Sequence, residues 1–346
     1  MNWPKVELAA VADVIRGVTF SKGDTIGTPE TGFLPVLRAG NISDQLNVHD
    51  DLVFVKDDLV SEHQRLQRGD IVVCMSSGSS NVLGKSAMLQ GEWRGSFGAF
   101  LAAVRPQPEK MCAQFLSHYL RTPEFRLWTS SSSGIGIKNI RASDLKAFQI
   151  PLPPLPEQKR IAAILDKADA IRRKRQQAIQ LADDFLRAVF LDMFGDPVTN
   201  PMGWETKALA DVCKKITDGT HHSPPIVDAG VPYITAKHLK KTGLQFFNDP
   251  WFISEEDHRA IYSRCAPEKN DVLYIKDGAT TGLAAINEYD FEFSMLSSLA
   301  LLKPCREKIL PEYLTVFLNH PITKQVIIAN MAGAAITRLT LAKIKS

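Results

Sequence analysis

The sequence predicts an α+β fold in which two similar domains are joined by a long α-helix. Segments of the first half recur about 200 residues later, which indicates two copies of one scaffold. Within each copy, short β-branched runs outnumber helical segments, as in a mixed α+β fold. Between the copies, apolar residues recur every three or four positions over residues 157–194, which is the period of an amphipathic helix.

The repeat is defined by paired segments that keep their frame while most side chains between them differ. Trp3 and Trp204 open the two copies. Two similar scaffolds with different surfaces are expected to recognise two related targets. The paired segments are residues 68–73 (RGDIVV) and 269–274 (KNDVLY), 115–123 (FLSHYLRTP) and 313–321 (YLTVFLNHP), and 137–146 (IKNIRASDLK) and 336–345 (ITRLTLAKIK).

Size and composition agree with two globular domains. A chain of 346 residues exceeds one ordinary core, and 45% hydrophobic with 23% charged residues is typical of soluble proteins. The net charge of +3 permits a nucleic-acid partner without requiring one. Neither a signal peptide nor a membrane-length apolar run is evident, and the cysteines are odd in number and scattered, so we expect a cytoplasmic protein outside the membrane. The cysteines are Cys74, Cys112, Cys213, Cys265 and Cys305.

Each copy is predicted to present the same elements in the same order. A polar, glycine-containing loop precedes a strand, and a buried strand introduced by an Asp turn follows. A small-residue loop, a second apolar strand and a helix come next, and Pro123 or Pro321 is expected to end that helix. The predicted strands are 33–37, 69–75 and 99–104, with 231–235, 271–275 and 298–302 in the second copy, and the helices are 113–120 and 311–318. The predicted domain limits are 1–150, 151–196 for the spacer, and 197–346.

The spacer begins with the proline run 151–156 (PLPPLP), which is expected to be extended. The helix over 157–194 would form a rod of about 57 Å, which spans roughly 17 base pairs at ~3.4 Å each. One apolar stripe along such a rod predicts a partner helix. A complete repeat would place a second proline run and helix after the second copy. The predicted packing residues are Ile161, Ile164, Leu165, Ala168, Ile179, Phe185, Leu186, Val189 and Phe190.

Together these features resemble the specificity subunit of type I restriction–modification systems. The resemblance spans the whole chain and rests on the lead-in PLPPLPEQKRI at 151–161, the preceding IKNI-x-x-x-DL at 137–145, and FGDP at 194–197 before Trp204. In that family each globular copy is a target recognition domain that recognises one half of a bipartite DNA site. The helices set the distance between the halves and dock methyltransferase subunits, and the specificity subunit itself is not catalytic.

The resemblance implies double-stranded DNA, methyltransferase subunits and restriction subunits as partners, with adenine methylation directed by this chain. It implies no cofactor here, since AdoMet and ATP with Mg²⁺ would belong to the partner subunits. Family members usually carry two antiparallel helices, whereas this sequence has one. A homodimer through the spacer helix, a separate partner helix, and a truncated or orphan subunit are therefore open alternatives. An enzyme, either a methyltransferase fusion or a nuclease, is disfavoured because no catalytic motif stands out.

Candidate DNA-contacting residues lie in loops that follow strands. Arginine suits guanine and asparagine suits adenine in the major groove, and the alternative for these positions is a salt bridge or a cap. Small residues in the loop 78–86 would let backbone N–H groups approach phosphate, and the alternative is an ordinary surface loop. The candidates are Lys22, Arg38, Asn41, Ser79, Asn81, Lys85, Lys138, Thr220, His221, Lys237, His238, Lys276, Thr280, Thr281 and Arg338.

Four other motifs favour less specific interpretations. Residues 78–86 (GSSNVLGKS) resemble a P-loop but have five residues between the glycines instead of four. Residues 248–251 (NDPW) nearly match the NPPW type of adenine methyltransferase motif, but Asp replaces the first proline, so we expect a turn. His221 and His222 lack the further ligands of a metal site. Residues 172–175 (RRKR) are predicted to be a solvated helix face, with phosphate or acidic partner surfaces as the alternative.

Overall fold

The computed structural model describes residues 3–79, 81–131, 138–329, 331 and 339–346. The chain divides into two compact units, Met1–Ala178 and Ile179–Ser346. The division falls inside one continuous helix, so each unit contains part of it. The three domain limits expected from the sequence stay predictions.

Unit 1 is built on a four-stranded antiparallel sheet, ordered β2-β10-β6-β8. All four residues of β6 are buried, as predicted for the run after Asp70. A second sheet, ordered β3-β5-β4-β9, contains the parallel pair β4 and β9. The strands are β1 Lys5–Glu7, β2 Ala12–Arg16, β3 Thr25–Ile26, β4 Phe33–Leu37, β5 Val53–Lys56, β6 Ile71–Cys74, β7 Ser76–Ser77, β8 Ser86–Met88, β9 Ser96–Phe97, β10 Leu101–Pro106, β11 Lys138–Asn139 and β12 Gln149–Pro151.

Helices cover the main sheet of unit 1 and close its core. Phe115, Leu116 and Phe125 from two of these helices share one hydrophobic cluster with Ile71 and Val73 of β6. The other face of the sheet packs against β4 and β9 through Val72, Leu37 and Phe97. The helices are α1 Ala113–Tyr119, α2 Pro123–Ser131, α3 Ala142–Ala147 and the spacer helix α4 Leu155–Phe194.

Unit 2 repeats this architecture, which confirms the predicted pair of similar scaffolds. Its main sheet is ordered β13-β21-β18-β19 and its parallel pair is β14 with β20. The remaining elements are α5 Leu209–Val212, β13 Cys213–Asp218, β14 Val231–Ile234, β15 Leu239–Lys240, β16 Gly243–Leu244, β17 Phe252–Ile253, α6 Glu255–Tyr262, β18 Val272–Ile275, β19 Ala284–Ile286, β20 Ser294–Met295, β21 Leu299–Pro304, α7 Pro311–Asn319, α8 Pro321–Ala329 and α9 Leu341–Lys345.

Two prolines end a helix as predicted and also begin the next one. Pro123 and Pro321 were expected to end a helix, and the preceding helices do end at Tyr119 and Asn319. Each proline, however, is also the first residue of a further helix, α2 or α8. A proline has no N–H to donate, and the first turn of a helix needs none, so the same residue can end one helix and begin another.

The spacer helix α4 runs unbroken over 40 residues, or about 60 Å. It begins at Leu155, so Pro156 lies in its first turn and not in the extended lead-in that the sequence predicted. The buried Gln158 side chain anchors this end, since its amide donates to Lys110 O and Pro153 O at 3.1 and 2.8 Å. Its Oε1 accepts the Cys112 N–H at 2.8 Å.

Few of the predicted packing residues of α4 contact a core. At the first end Ile161 packs on the core of unit 1. At the last end Phe190 is buried against Tyr313 and His320 of unit 2, with ring centroids 5.9 and 5.3 Å away. Val189 is partly buried. The other predicted residues are exposed in this chain: Ile164, Leu165, Ala168, Ile179, Phe185 and Leu186. Among the described residues, no helix is long and apolar enough to cross a membrane.

Candidate nucleic-acid interface

Backbone hydrogen bonds gather four loops at one edge of unit 1. Val18 N–H donates to Phe97 O at 2.8 Å, and Gly98 N–H donates to Leu37 O at 2.9 Å. Met75 and Ser76 both donate to Phe100 O, at 2.8 and 3.2 Å. These bonds join the ends of β2, β4 and β6 to the turn between β9 and β10. We call this set the loop edge of unit 1: residues 17–20, 37–38, 75–79 and 97–100.

Unit 2 forms the same edge with other side chains. Thr220 N–H donates to Met295 O at 2.8 Å, Leu296 N–H to Ile234 O at 3.0 Å, and Lys276 N–H to Ser298 O at 2.9 Å. The loop edge of unit 2 is defined by residues 219–222, 234–238, 275–281 and 295–298. The frame is therefore common to both units, and their loop side chains are not.

One cation lies close behind a central strand at each edge, exposed in the case of Arg38 and partly buried in the case of Lys237. Arg38 follows β4 and pairs with Asp51 at 2.6 Å, with about half of its side chain exposed. Lys237 lies close behind β14, 2.8 Å from Asp249 and 3.3 Å from the centroid of the Trp251 ring. Hydrogen bonding to the Lys237 ammonium holds the pKa of Asp249 below its usual range. Both cations are placed where a phosphate or base could replace the carboxylate.

Asn41 and His238 are buried, so the structure does not present them as base-contacting groups. Both are 1% exposed, and each side chain bonds two backbone groups of its own loop. The sequence left a cap as the alternative for these positions, and capping is the role that this geometry supports. A buried amide or imidazole that left such bonds for DNA would leave backbone groups unpaired.

Lys276 is also buried, within a charged cluster at the edge of unit 2. Its ammonium lies 3.5 Å from the buried Asp218 and 3.0 Å from Asp277. Arg264 pairs with Asp218 at 3.3 Å and donates to Gly219 O, and His221 Nε2 lies 3.4 Å from Asp218. Asp218 therefore orients three cationic or titratable side chains, of which Arg264 and His221 reach the surface.

The remaining candidates divide by exposure. Thr281 is buried and donates its hydroxyl to Gly278 O at 2.6 Å, and Thr220 is buried while its hydroxyl accepts His222 N–H at 3.2 Å. Lys138 pairs with Ser77 through the backbone of β11, and Arg338 lies outside the described residues. The exposed candidates are Lys22, Ser79, Asn81, Lys85, His221 and Thr280.

In its described residues, 78–79 and 81–86, the loop 78–86 lacks the architecture that a P-loop needs. A P-loop is followed by a helix whose first N–H groups face the phosphates, but here Ser86 begins strand β8. Arg126 of α2 holds this loop, donating to Leu83 O at 2.6 Å and Asn81 O at 2.9 Å. No sequence signal pointed to Arg126, because it is 45 residues away from Asn81.

The other motifs take structural places. Asn248 ends a 3₁₀ turn, Phe246–Asn248, and Asp249 pairs with Lys237, which agrees with the predicted turn. Arg172 of the basic run pairs with Asp44 of unit 1 at 2.7 Å, and Arg173 pairs with Asp169 at the same distance. Within the part of the chain that the structure describes, no group of three or more His, Cys, Asp or Glu side chains could hold a metal ion.

The chain is similar to type I specificity subunits. The StySPI specificity subunit of Salmonella potsdam is 34% identical over 220 residues, covering 60% of this chain and 47% of that protein. The EcoKI specificity subunit of Escherichia coli K12 is 38% identical over 193 residues, covering 54% and 41%. The matched region thus spans less than half the length of these relatives.

A solved structure shares the fold. The S subunit of a type I restriction–modification system from M. genitalium superposes with a TM-score of 0.59 at 18% identity, covering all of this chain and 83% of that one. The family model described as the type I restriction modification DNA specificity domain matches residues 1–181 and again residues 201–346. The chain therefore belongs to the type I restriction–modification DNA specificity family and carries two copies of its domain.

Proposed function

We propose that this chain is the DNA-recognising specificity subunit of a type I restriction–modification complex, and that each unit recognises one half of a bipartite target. One observation carries the proposal. The two units share one frame but differ at the matching places of their loop edges: Arg38 against Thr235, Met75 against Lys276, and Phe100 against Ser298. Such variation on a constant frame is what two different half-sites require, because base identity is distinguished by side chains.

Cations at the loop edges and in the adjoining loops would position the DNA. Arg38, Lys85, Lys22 and Lys237 would contact phosphates or guanine edges, and exposed Ser79, Asn81 and Thr280 would supply neutral hydrogen bonds. Arg264 and His221, oriented by Asp218, would add cationic contacts in unit 2. Since phosphate contacts release counterions, affinity for any duplex should fall with rising salt.

The chemistry is assigned to partners. The chain would be non-catalytic and would hold neither AdoMet nor ATP with Mg²⁺, which methyltransferase and restriction subunits would bring. The relatives' names describe specificity subunits, which supports this division. Methylation of DNA by the isolated chain in the presence of AdoMet would contradict it.

A second proposal concerns assembly. The exposed apolar side chains of α4, such as Ile179, Phe185 and Leu186, favour a partner helix along the spacer. A second copy of this chain would supply such a helix, so we include a homodimer through α4 among the assembly states. A subunit that self-associates without productive DNA binding is the corresponding alternative.

One experiment tests the main proposal. The chain is combined with a methyltransferase subunit of the same system and AdoMet, and N6-methyladenine is then mapped on genomic DNA. A split motif with two different halves would support recognition of both halves by one chain. A palindromic motif would support two paired chains that each use one unit. Methylation no higher than with the methyltransferase alone would contradict the specificity function.

A further inference from the structure

The turn between β9 and β10 carries an exposed phenylalanine at the loop edge of unit 1. Leu101 N–H donates to Gly98 O at 2.9 Å, which places Ala99 and Phe100 at the two central positions of the turn. The carbonyl of Phe100 accepts two hydrogen bonds, but the residue is 69% exposed. The backbone of Phe100 is therefore fixed while its ring contacts little of the protein.

The second unit shows that this fold does not need an aromatic residue there. Leu299 N–H donates to Leu296 O at 3.0 Å, and Ser298 accepts the Lys276 N–H at the place where Phe100 accepts Met75 and Ser76. The same turn thus forms with serine. Since the ring buries little apolar area, it contributes little of the stabilisation that burial of a phenylalanine gives.

The neighbours of Phe100 are suited to a polynucleotide. Ser76, which donates its N–H to the Phe100 carbonyl, is followed in the chain by Ser77 and by the exposed Ser79. Arg38 directly follows β4, whose last residue, Leu37, accepts the N–H of Gly98 in the same turn. On a loop edge that also carries serine hydroxyls and a cation, an aromatic ring offers the one contact that those groups cannot make, an apolar contact with a base.

We propose that Phe100 is a specificity-determining residue that makes an apolar contact with a base in the half-site of unit 1. The inference rests on the proposed function and adds a contact that is independent of salt. Phe100 would touch either the methyl group of a thymine or the face of a base at an opened step. Unit 2, with Ser298, would recognise its half-site without such a contact.

The test uses the full chain assembled with its methyltransferase subunit and the duplex identified by methylation mapping. Phe100→Ser installs the residue of unit 2 at a turn that accepts it. Leu59→Ser is the matched control, because Leu59 is also an exposed apolar residue but lies away from the loop edge. It follows β5, whose last residue, Lys56, pairs with Phe33 at the start of β4, whereas the loop edge lies at the other end of β4. We expect Phe100→Ser to weaken binding to the cognate duplex at least tenfold and Leu59→Ser to change it less than twofold. The slope of affinity against salt should stay unchanged, since no charge is lost.

Two further duplexes distinguish the kinds of contact. Deoxyuridine in place of thymine removes a methyl group, and a loss of affinity in the wild type but not in Phe100→Ser would support a methyl contact. 2-Aminopurine reports unstacking, and a fluorescence rise that is lost in Phe100→Ser would support insertion at a step. Phe100→Leu, which keeps an apolar side chain, is expected to recover part of the affinity.

The outcomes separate this inference from the function on which it rests. If the wild-type complex binds cognate and scrambled half-sites equally, the proposed function fails and the inference fails with it. If the wild type discriminates and Phe100→Ser and Phe100→Leu keep that discrimination within twofold, the inference alone is overturned.

Discussion

Asn41 and His238 make the same pair of hydrogen bonds in the two units. The Oδ1 of Asn41 accepts the Arg38 N–H at 2.8 Å, and its Nδ2 donates to Asp50 O at 2.9 Å. The Nδ1 of His238 accepts the Thr235 N–H at 2.9 Å, and its Nε2 lies 3.0 Å from Asp249 O. A neutral imidazole and a side-chain amide each have one accepting atom and one donating atom. Two different residue types therefore close the same loop behind Arg38 and Lys237.

Asn41→Ala is expected to destabilise unit 1 by about 1–3 kcal/mol, because the Arg38 N–H and Asp50 O would lose the buried side chain that bonds both of them. Asn41→His should destabilise unit 1 less, since His238 makes the equivalent pair of hydrogen bonds in unit 2. Urea unfolding of the full chain gives the free energy, and hydrogen exchange of the Arg38 amide reports the loop itself. His49→Ala, exposed in the same loop, is the control. Equal stability of the Asn41→Ala and His49→Ala variants would refute this role.

The same bond makes unit 2 sensitive to acid. Burial lowers the pKa of His238. Protonation of the imidazole would put a proton on Nδ1, which now accepts the Thr235 N–H, so that two donors would face each other. In the unfolded chain the histidine binds a proton below about pH 6.5, so the unfolding free energy should fall as pH drops below that value and level off below the folded pKa. His238→Asn should remove part of this loss. The test compares urea unfolding of both proteins from pH 7.5 to 5.

The comparison of variants is needed because another group titrates in the same direction. Burial also lowers the pKa of His320, which stacks on Phe190. Both histidines therefore contribute to the dependence of the wild-type unfolding free energy on pH. Only the difference between wild type and His238→Asn measures the contribution of His238. Identical slopes in the two proteins would show that His238 does not carry the effect.

The sequence predicted the frame of this protein better than its site. The repeat and the buried runs located β4, β6 and β18 closely, because a short β-branched run between turns has few other solutions. Asn41 and His238 were chosen for their base-recognising chemistry, and sequence gives no measure of their burial. The partner of Lys276, Asp218, is distant in the chain. Phe100 was missed because a single exposed aromatic residue forms no pattern.

Gly17 and Gly219 occupy matching close approaches in the two units. A Cβ on Gly17 would overlap the carbonyl oxygen of Gly98, and one on Gly219 would overlap that of Met295. Alanine at either position must displace backbone, so we expect a loss of about 1–3 kcal/mol. Gly27→Ala is the control, since nothing lies within 4 Å of its Cβ. Thermal unfolding measures the three variants, and Gly17→Ala as stable as Gly27→Ala would contradict the argument.

Asp218 is expected to be essential to the edge of unit 2. Asp218→Ala leaves the buried Lys276 ammonium without one of its two carboxylates, which should cost about 3 kcal/mol. Arg264→Gln should cost much less, because about half of that side chain is exposed. Asp228→Ala, on the exposed surface, is the control for loss of a carboxylate. Urea unfolding ranks the variants, and a neutral Asp218→Ala would show that Asp277 suffices for Lys276.

The spacer helix carries two kinds of apolar residue: some are buried and stabilise the fold, and others are exposed and available to a partner helix. Ile179, Phe185 and Leu186 are more than half exposed, so replacing all three by serine should change the unfolding free energy by less than about 1.5 kcal/mol in total. Phe190→Ser should cost about 3 kcal/mol, since that ring is buried against Tyr313 and His320. Light scattering of the full chain then measures its mass over a range of concentrations.

If α4 pairs with a second copy, the wild type should have twice the mass of one chain, and the triple serine variant should be monomeric while remaining folded. Coiled-coil pairing depends on apolar side chains along the whole seam. Removing three of them should therefore raise the concentration at which half of the chains are dimeric by roughly a hundredfold or more. A monomeric wild type, or a triple variant that keeps the dimer mass, would exclude pairing through this stripe. The exposed residues would then be assigned to a different partner, for which the triple variant is also the test.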